Sequence, residues 1–302
     1  MAAAVDARAG IRVALAWRVS DRTDAVAVIV VAHDSGATLA DAVRRACAAL
    51  AVAEVAIIDN ASRDGSAEAL RFAHAGDPRV RVVRNPDNPG FATACNQGAG
   101  CTRAPWLAFL NPDCLVETDT FERMLAIARG NPAIGLLGAD VRDAMGAPEA
   151  AARRRDPTFR RVLAQAAGGE GLRVAPDPSQ LMQPVDAVSG ALMLVPRSLF
   201  ERLGGFDVGY RLHCEDLDLC RRVRESGLAV AVAERVSVVH LKGGSSRRRP
   251  LFVAWHKHCG MWRYRRRFGG DNAIGAALAG VAIWARFAVQ LPLLLVRALL
   301  AR

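Results

Sequence analysis

The sequence lacks the short signatures that mark the commonest nucleotide and metal folds. It contains no Gly-x-Gly-x-x-Gly and no Gly-x-x-x-x-Gly-Lys-Ser/Thr, so neither a dinucleotide fingerprint nor a P-loop is supported. Its seven cysteines, Cys47, Cys95, Cys101, Cys114, Cys214, Cys220 and Cys259, include no Cys-x-x-Cys pair. An odd count without paired spacing fits free thiols in a reducing cytoplasm and argues against a disulfide framework. His256-Lys257-His258-Cys259 has no second Cys/His cluster at metal-finger spacing, so zinc is not read there and the run is placed on a basic helix. No charged start followed by an apolar core and a cleavage site opens the chain. A secretory signal is therefore not read, and residues 1–24 are expected to be a loosely ordered extension. There is no internal repeat.

Acid is scarce at one end. From Lys242 to Arg302 twelve basic residues meet one acidic residue, Asp271. The preceding 241 residues hold 28 basic and 29 acidic groups, so a near-neutral body carries a strongly basic tail within an overall charge of +10. Such asymmetry points to an anionic partner for the tail. At 302 residues and 52% hydrophobic composition the chain is long enough to bury a sizeable core, as one large domain or two small ones.

What is present alternates. β-Branched or apolar runs at Ala25–Ala32, Glu54–Asp59, Arg79–Val83 and Trp106–Leu110 read as buried parallel strands. Helical spacing intervenes at Thr38–Leu50, Ser66–His74 and Phe91–Cys101, and a further helix at Thr120–Arg129. This order predicts a doubly wound α/β sheet. Gly135–Asp140 and Val188–Val195 read as further strands, and Arg197–Leu203 and Cys214–Glu225 as helices. Ala229–Val232 and Val236–His240 read as two short strands, and 143–184, rich in Ala, Arg, Gly and Pro, as irregular and partly mobile.

The four N-terminal strands end in polar residues: His33-Asp34, Asp59-Asn60, Asn85, then Asn111 and Asp113. Ligands of open α/β sheets bind at the carboxyl ends of strands. Carboxylates and amides there suit base and ribose hydroxyls, or a divalent cation that bridges to phosphates. Any one of them alone is an ordinary turn residue.

Six spaced stretches then carry a resemblance: "IIDNASRDGS" (57–66), "NPDNPGFATACNQG" (85–98), "FLNPD" (109–113), "GALMLVPRSLFERLGGFD" (190–207), "EDLDLCRRVRESG" (215–227) and "HLKGGSS" (240–246). From Ala25 to Phe268 the chain resembles the family-2 inverting glycosyltransferases, in their rhamnosyltransferase-like branch. The resemblance implies a GT-A fold over 25–245, with a nucleotide-binding half (25–115) and an acceptor half (116–245). It implies a nucleotide-diphosphate sugar donor and Mg²⁺ or Mn²⁺. Asp59 would contact the base, within a donor-binding set that includes Asn60, Asp34, Asn88, Gly90, Asn96 and Asn111. "NPD" stands where the family's DxD metal motif sits, with Asn111 in place of the first Asp; Asp113 would be a metal ligand and His240 would complete the site. His33-Asp34 stands where the family usually has Tyr-Asn or a similar pair. Gly243 and Gly244 would let backbone N–H groups approach a diphosphate.

Inverting transfer needs a base to take the acceptor's proton while the metal accepts charge on the departing diphosphate. By resemblance the base lies in Glu215-Asp216. Leu219, Cys220 and Val223 lie three, four and seven residues after Asp216 and share its helix face. If that face is buried, Asp216 points inward as the base, with Glu215 beside it to bind acceptor; favourable charge at a helix N-terminus is the plainer reading. Asp218, four before Arg222, is placed on a solvated face in a weak surface bridge.

Residues 273–302 are mostly apolar with three Arg and no acid. Arg286 and Pro292 interrupt them, so no stretch reaches the ~18 residues of a spanning helix. Arg286, Gln290 and Arg297 fall near one helical face, with Trp284 as an interfacial anchor. The tail 246–302 is therefore expected to be an amphipathic helix on an anionic membrane surface, its arginines Arg265, Arg266 and Arg267 among the head groups and suited also to a polyprenyl-diphosphate acceptor. Packing on the body or on a second subunit of a homo-oligomer is the other reading. Taken together, the expectation is an enzyme of surface-glycan assembly at the cytoplasmic face of the inner or plasma membrane. The resemblance implies that it would move L-rhamnose from dTDP-rhamnose to a lipid-linked or polysaccharide acceptor; no nucleic-acid partner is expected. A sugar nucleotidyltransferase would carry a Gly-rich N-terminal phosphate loop, absent here. A non-catalytic glycan-assembly scaffold remains the non-enzyme alternative.

Overall fold

The computed structural model describes residues 23–158, 161–162, 171–241, 249–270 and 273–300. Residues 1–22 of the expected extension, Lys242, Gly243, Gly244, Asp271 and the Arg297 side chain lie outside the described residues. Strands β1 (Val26–Ala32), β2 (Val52–Asp59), β3 (Val80–Arg84) and β4 (Trp106–Leu110) pair in parallel in the order β3-β2-β1-β4. Helices α1 (Gly36–Ala48), α2 (Ser66–Ala73) and α3 (Phe91–Gly100) connect them. Every residue of β1 is buried, and alternate residues enter different cores. Val26, Val28 and Val30 pack with α1 and α4 (Thr120–Gly130) on one face; Ala27, Ile29 and Val31 pack with α3 on the other. A continuous β-branched run is what a strand buried on both faces requires. Gly98 permits the closeness of α3, since a Cβ there would stand 2.4 Å from Ile29 Cγ2.

The second half continues the same sheet. β10 (Leu192–Pro196) runs antiparallel between β4 and β6 (Ile134–Arg142), and β11 (Ala229–His240) runs parallel to β6. β5 (Cys114–Leu115) and β8 (Met182–Val185) line the far edge of β11. Helices α5 (Arg197–Arg202) and α6 (Glu215–Glu225) cover the α3 face. The doubly wound, mostly parallel α/β sheet is thus present.

Several local expectations change. The two short strands at 229–240 are one strand whose register shifts between Ala233 and Ser237. Glu234 sits in that irregularity and turns to Arg153. The guanidinium of Arg153 donates to both Glu234 oxygens at 2.6 Å and to Asp140 Oδ1 at 2.8 Å, with all three side chains buried. Part of 143–184 is therefore anchored, not irregular: β7 (Arg153–Arg154) pairs with β9 (Ala187–Val188). Asp218 is fully buried, not solvated, and binds Arg222 at 2.5 Å. The cause lies C-terminal to it, where α7 (Pro250–Phe268) covers α6. Arg263 and Arg267 of α7 reach Asp207 (3.0 and 2.8 Å), Arg267 also reaches Asp218 (3.0 Å), and Tyr264 donates to Asp156 (2.7 Å). Arg267, expected among lipid head groups, is therefore committed to the body.

The basic run around His256 does lie on a helix, α7. After it, Ala273–Leu300 forms one 28-residue helix, α8, that continues through Pro292. Proline removes one backbone donor, the partner of the Ala288 carbonyl, and an apolar helix tolerates that loss without ending. The stretch Ile274–Val296 is 23 residues long with mean hydropathy 1.7, and by length and composition could cross a membrane. The expectation that Arg286 and Pro292 cut it into short pieces is corrected.

Candidate active site

The carboxyl ends of β1, β2 and β4 open into a cleft of about 1750 Å³ that continues along α7 and α8. At the β2 end, Asn60 donates through Nδ2 to Asn88 Oδ1 (3.3 Å) and the Gly90 carbonyl (3.4 Å), and accepts from Asn85 Nδ2 (2.9 Å). Asn85 also donates to Gln97 (2.8 Å), so amides tie three loops into one wall. Asn60, Asn88 and Gly90 line the cleft.

Asp34, Asp59 and Asn96 do not line it. Asp34 accepts from Arg63 N (2.7 Å), and Asp59, 1% exposed, accepts from Ser62 N (2.9 Å). Both brace the loops at the strand ends. Asn96 exchanges two hydrogen bonds with the Phe206 backbone at 2.9 Å and so fixes the turn after α5.

Strand pairing assembles the next part. β5 is only two residues long, but His240 stands opposite Cys114 in the β5–β11 register, which brings its ring beside Asp113. His240 Nε2 lies 3.1 Å from Asp113 Oδ1 and 3.4 Å from Asn111 Nδ2, while Nδ1 lies 3.2 Å from Glu149 Oε1. Burial would lower the His240 pKa, but the hydrogen bonds and charges of Asp113 and Glu149 prevail and raise it. Among the described residues no three His, Cys, Asp or Glu side chains form a metal cage. Asp113 and His240 nevertheless place an oxygen and a ring nitrogen 3.1 Å apart, with the Glu149 carboxylate on the far ring nitrogen to orient the imidazole. This donor set fits a cation whose remaining ligands come from a diphosphate, not a closed all-protein site.

The third part is the start of α6. His213 (φ 67°) and Cys214 (φ 72°) are consecutive non-glycine residues in the left-handed region, a strained entry of the kind found at functional sites. It sets Glu215 and Asp216 at the cleft. Asp216 Oδ2 accepts from Arg154 Nη2 (2.5 Å) and Gly190 N (3.3 Å), and Oδ1 from Leu217 N (2.8 Å). Leu219, Cys220 and Val223 are buried, as the shared face predicts. Glu215 is buried, and its Oε2 has no hydrogen-bond partner among the described residues. Burial, with the Asp216 charge adding to it, pushes its pKa up to about 8.

Glu149 and Arg154 were not singled out in the sequence. Both come from the segment read as irregular, and only the Arg run at 153–155 hinted at buried charge there.

Comparison with known proteins agrees with this geometry. The profile of "Glycosyl transferase family 2" matches residues 27–183. An N-acetylglucosaminyl-diphospho-decaprenol L-rhamnosyltransferase of Mycobacterium tuberculosis is 30% identical over 284 residues, covering 80% of this chain and 87% of the relative. Among solved structures, the mannosyltransferase PcManGT from Pyrobaculum calidifontis, in complex with GDP-Man and Mn²⁺, aligns with a TM-score of 0.57 at 19% identity, over 91% of this chain and 73% of that one. GalNAc-T7 with UDP, GalNAc and Mn²⁺ aligns with a TM-score of 0.60 at 18% identity, over 72% of this chain and 43% of that one. With the matched profile, the coverage of the relative and the GT-A architecture in hand, the chain belongs to glycosyl transferase family 2 as a rhamnosyltransferase-like enzyme.

Proposed function

We propose that this glycosyltransferase moves L-rhamnose from dTDP-rhamnose, with inversion, to the sugar of a lipid-diphosphate acceptor at the cytoplasmic face of a membrane. The observation that carries this reading is that two acidic sites line one cleft: Asp113 with His240, and Glu215 with Asp216. The amide wall of Asn60, Asn88 and Gly90 binds the donor in the half spanning 25–115, with Asn111 beside its diphosphate. Asp59, Asp34 and Asn96 support that wall from behind.

Asp113 and His240 would hold Mg²⁺ or Mn²⁺, which when bound would neutralise charge on the diphosphate leaving group. Asp216 accepts the proton of the acceptor hydroxyl. Arg154 and the Gly190 N–H fix its carboxylate, so the basic lone pair is aimed before substrate arrives. Glu215, kept neutral by burial, donates a hydrogen bond to the acceptor sugar.

The acceptor class is supported by the relative's name and by α8, whose Ile274, Val281 and Val289 are 71%, 68% and 81% exposed. An apolar helix about 34 Å long at 1.5 Å per residue can enter a bilayer core of about 30 Å. The test is to incubate purified protein with a panel of nucleotide sugars and Mn²⁺, with and without an N-acetylglucosaminyl-diphospho-prenol. Loss of rhamnose from dTDP-rhamnose and acceptor-dependent product are expected; an inert panel would favour a scaffold.

A further inference from the structure

Beyond Asp216 the cleft changes character. Its acidic side chains belong to the sheet loops and the start of α6: Asp113, Glu149, Glu215 and Asp216. From Arg249 to Leu294 the lining contains no acid, but has Lys257, Arg265 and Arg286 among apolar groups such as Val253, Met261 and Ile283. Such segregation suits a ligand with a sugar at one end, an anion in the middle and hydrocarbon at the other.

Ring contacts pack α7 against α8 beside the central cations. Trp255 meets Trp284 with ring centroids 5.2 Å apart, and His258 meets Phe287 at 5.2 Å. Lys257 and Arg286 lie beside these contacts in the chain, and both line the cleft. Neither has a carboxylate partner among the described residues, unlike Arg263 and Arg267 of the same helical layer. Lys257 also stands close enough to the α6 entry for its charge to act on His213 and Cys214, alongside those of Asp216 and Arg154.

The same lining holds an unused polar atom. His258 is 2% exposed, lines the cleft, and directs Nδ1 to the Ala254 carbonyl at 2.7 Å; its Nε2 is buried without a hydrogen-bond partner among the described residues. Burying an unpaired ring nitrogen costs stability unless a ligand completes it. On α8, Ala279, Ala282, Ile283, Arg286, Gln290 and Leu294 form a single stripe along the cleft. From Arg286 to Leu294 that stripe runs about 12 Å at 1.5 Å per residue, a length along which isoprene units can lie beyond the cations.

We propose that Lys257 and Arg286 form the diphosphate subsite of a prenyl-diphosphate-sugar acceptor, with His258 Nε2 completing it and the prenyl chain leaving along the Ile283–Leu294 stripe of α8. This rests on the glycosyltransferase reading for the sugar's fate, but binding of the diphosphate does not depend on transfer. The subsite holds the diphosphate one sugar away from Asp216, which selects acceptors by the group that carries the sugar.

The decisive experiment uses the full chain in detergent with chelator present, so that no metal-bound diphosphate at the donor end contributes. Farnesyl diphosphate is titrated while the fluorescence of Trp255 and Trp284 is followed, with farnesol and inorganic pyrophosphate as separate arms. Saturable binding of farnesyl diphosphate, at least tenfold tighter than either control, is expected. Lys257→Gln and Arg286→Gln should each weaken it by on the order of tenfold, and the pair by more, because charge-assisted contacts are lost. In turnover, both variants should raise KM for a prenyl-diphosphate acceptor much more than KM for a neutral alkyl glycoside of the same sugar. Equal binding of farnesol would overturn the diphosphate assignment, and equal binding of pyrophosphate would overturn the prenyl stripe. Unchanged affinity in the double variant would remove these two residues. If farnesyl diphosphate binds as expected but no nucleotide sugar is consumed, the subsite stands and the transfer reading fails.

Discussion

Arg154 and Asp216 meet at 2.5 Å although 62 residues separate them in the chain, joining a two-residue strand to the first turn of α6. The side chain before Arg154, that of Arg153, faces the opposite way into the Asp140–Glu234 pair. One strand thus fixes the sheet with one arginine and the proposed base with the next.

Replacing Asp216 by Asn keeps its shape and removes the proton acceptor. Transfer should fall by a factor on the order of 10²–10⁴, while equilibrium binding of the donor persists. Steady-state turnover close to that of the wild type would take Asp216 out of the role of base.

Chelation should abolish transfer and added Mn²⁺ or Mg²⁺ should restore it. Asp113→Ala should mimic the chelator at ordinary metal concentrations. Because so few protein ligands converge there, the metal should bind weakly to the free enzyme and more tightly when nucleotide diphosphate is present. Calorimetry with and without dTDP reads this directly, and metal-independent turnover would refute it.

Arg153→Met leaves buried Glu234 with no cation and Asp140 with Arg142 alone. Breaking a buried ion pair from one side costs about 3–5 kcal/mol. A matching drop in the urea midpoint is expected, and a change within error would mean that water or a shifted Arg142 takes over the charge.

Glu215 gives a pH signature. Its folded pKa is pushed up to about 8 from an ordinary 4.5, burial being the main cause. Between those values the folded protein keeps a proton that the unfolded chain has released, so this group's contribution to stability declines as pH rises. Glu215→Gln cannot lose that proton. The variant should match the wild type below the ordinary carboxyl range and exceed it at pH 8, by on the order of a few kcal/mol. Parallel stability curves across the window would show that Glu215 titrates normally.

The fold was legible where burial dictates composition. Ala25–Ala32 and Trp106–Leu110 fall on β1 and β4 almost residue for residue, because strands covered on both faces admit few polar groups. The placement of Asp216 at the cleft was legible through its spacing to Leu219, Cys220 and Val223. Asp218 was not: its pairing with Arg222 was right, but its burial comes from α7, which no pattern within α6 records. Glu149 and Arg154 were hidden for a related reason, since a strand of two residues has no periodicity to read. Pro292 and Arg286 read as interruptions of an apolar run, whereas backbone hydrogen bonding carries the helix past both.

The antiparallel strand β10 also bears on how the chain is made. β4 gains its second neighbour only when Leu192–Pro196 pairs with Trp106–Leu110, about 80 residues further along. At a synthesis rate of about 5–20 residues per second, the ribosome needs roughly 4–16 s to deliver that partner. Until then β1–β4 can form a parallel half-sheet with one unprotected apolar edge. A nascent chain stalled in this interval should be the species that chaperones hold and that aggregates when they are absent.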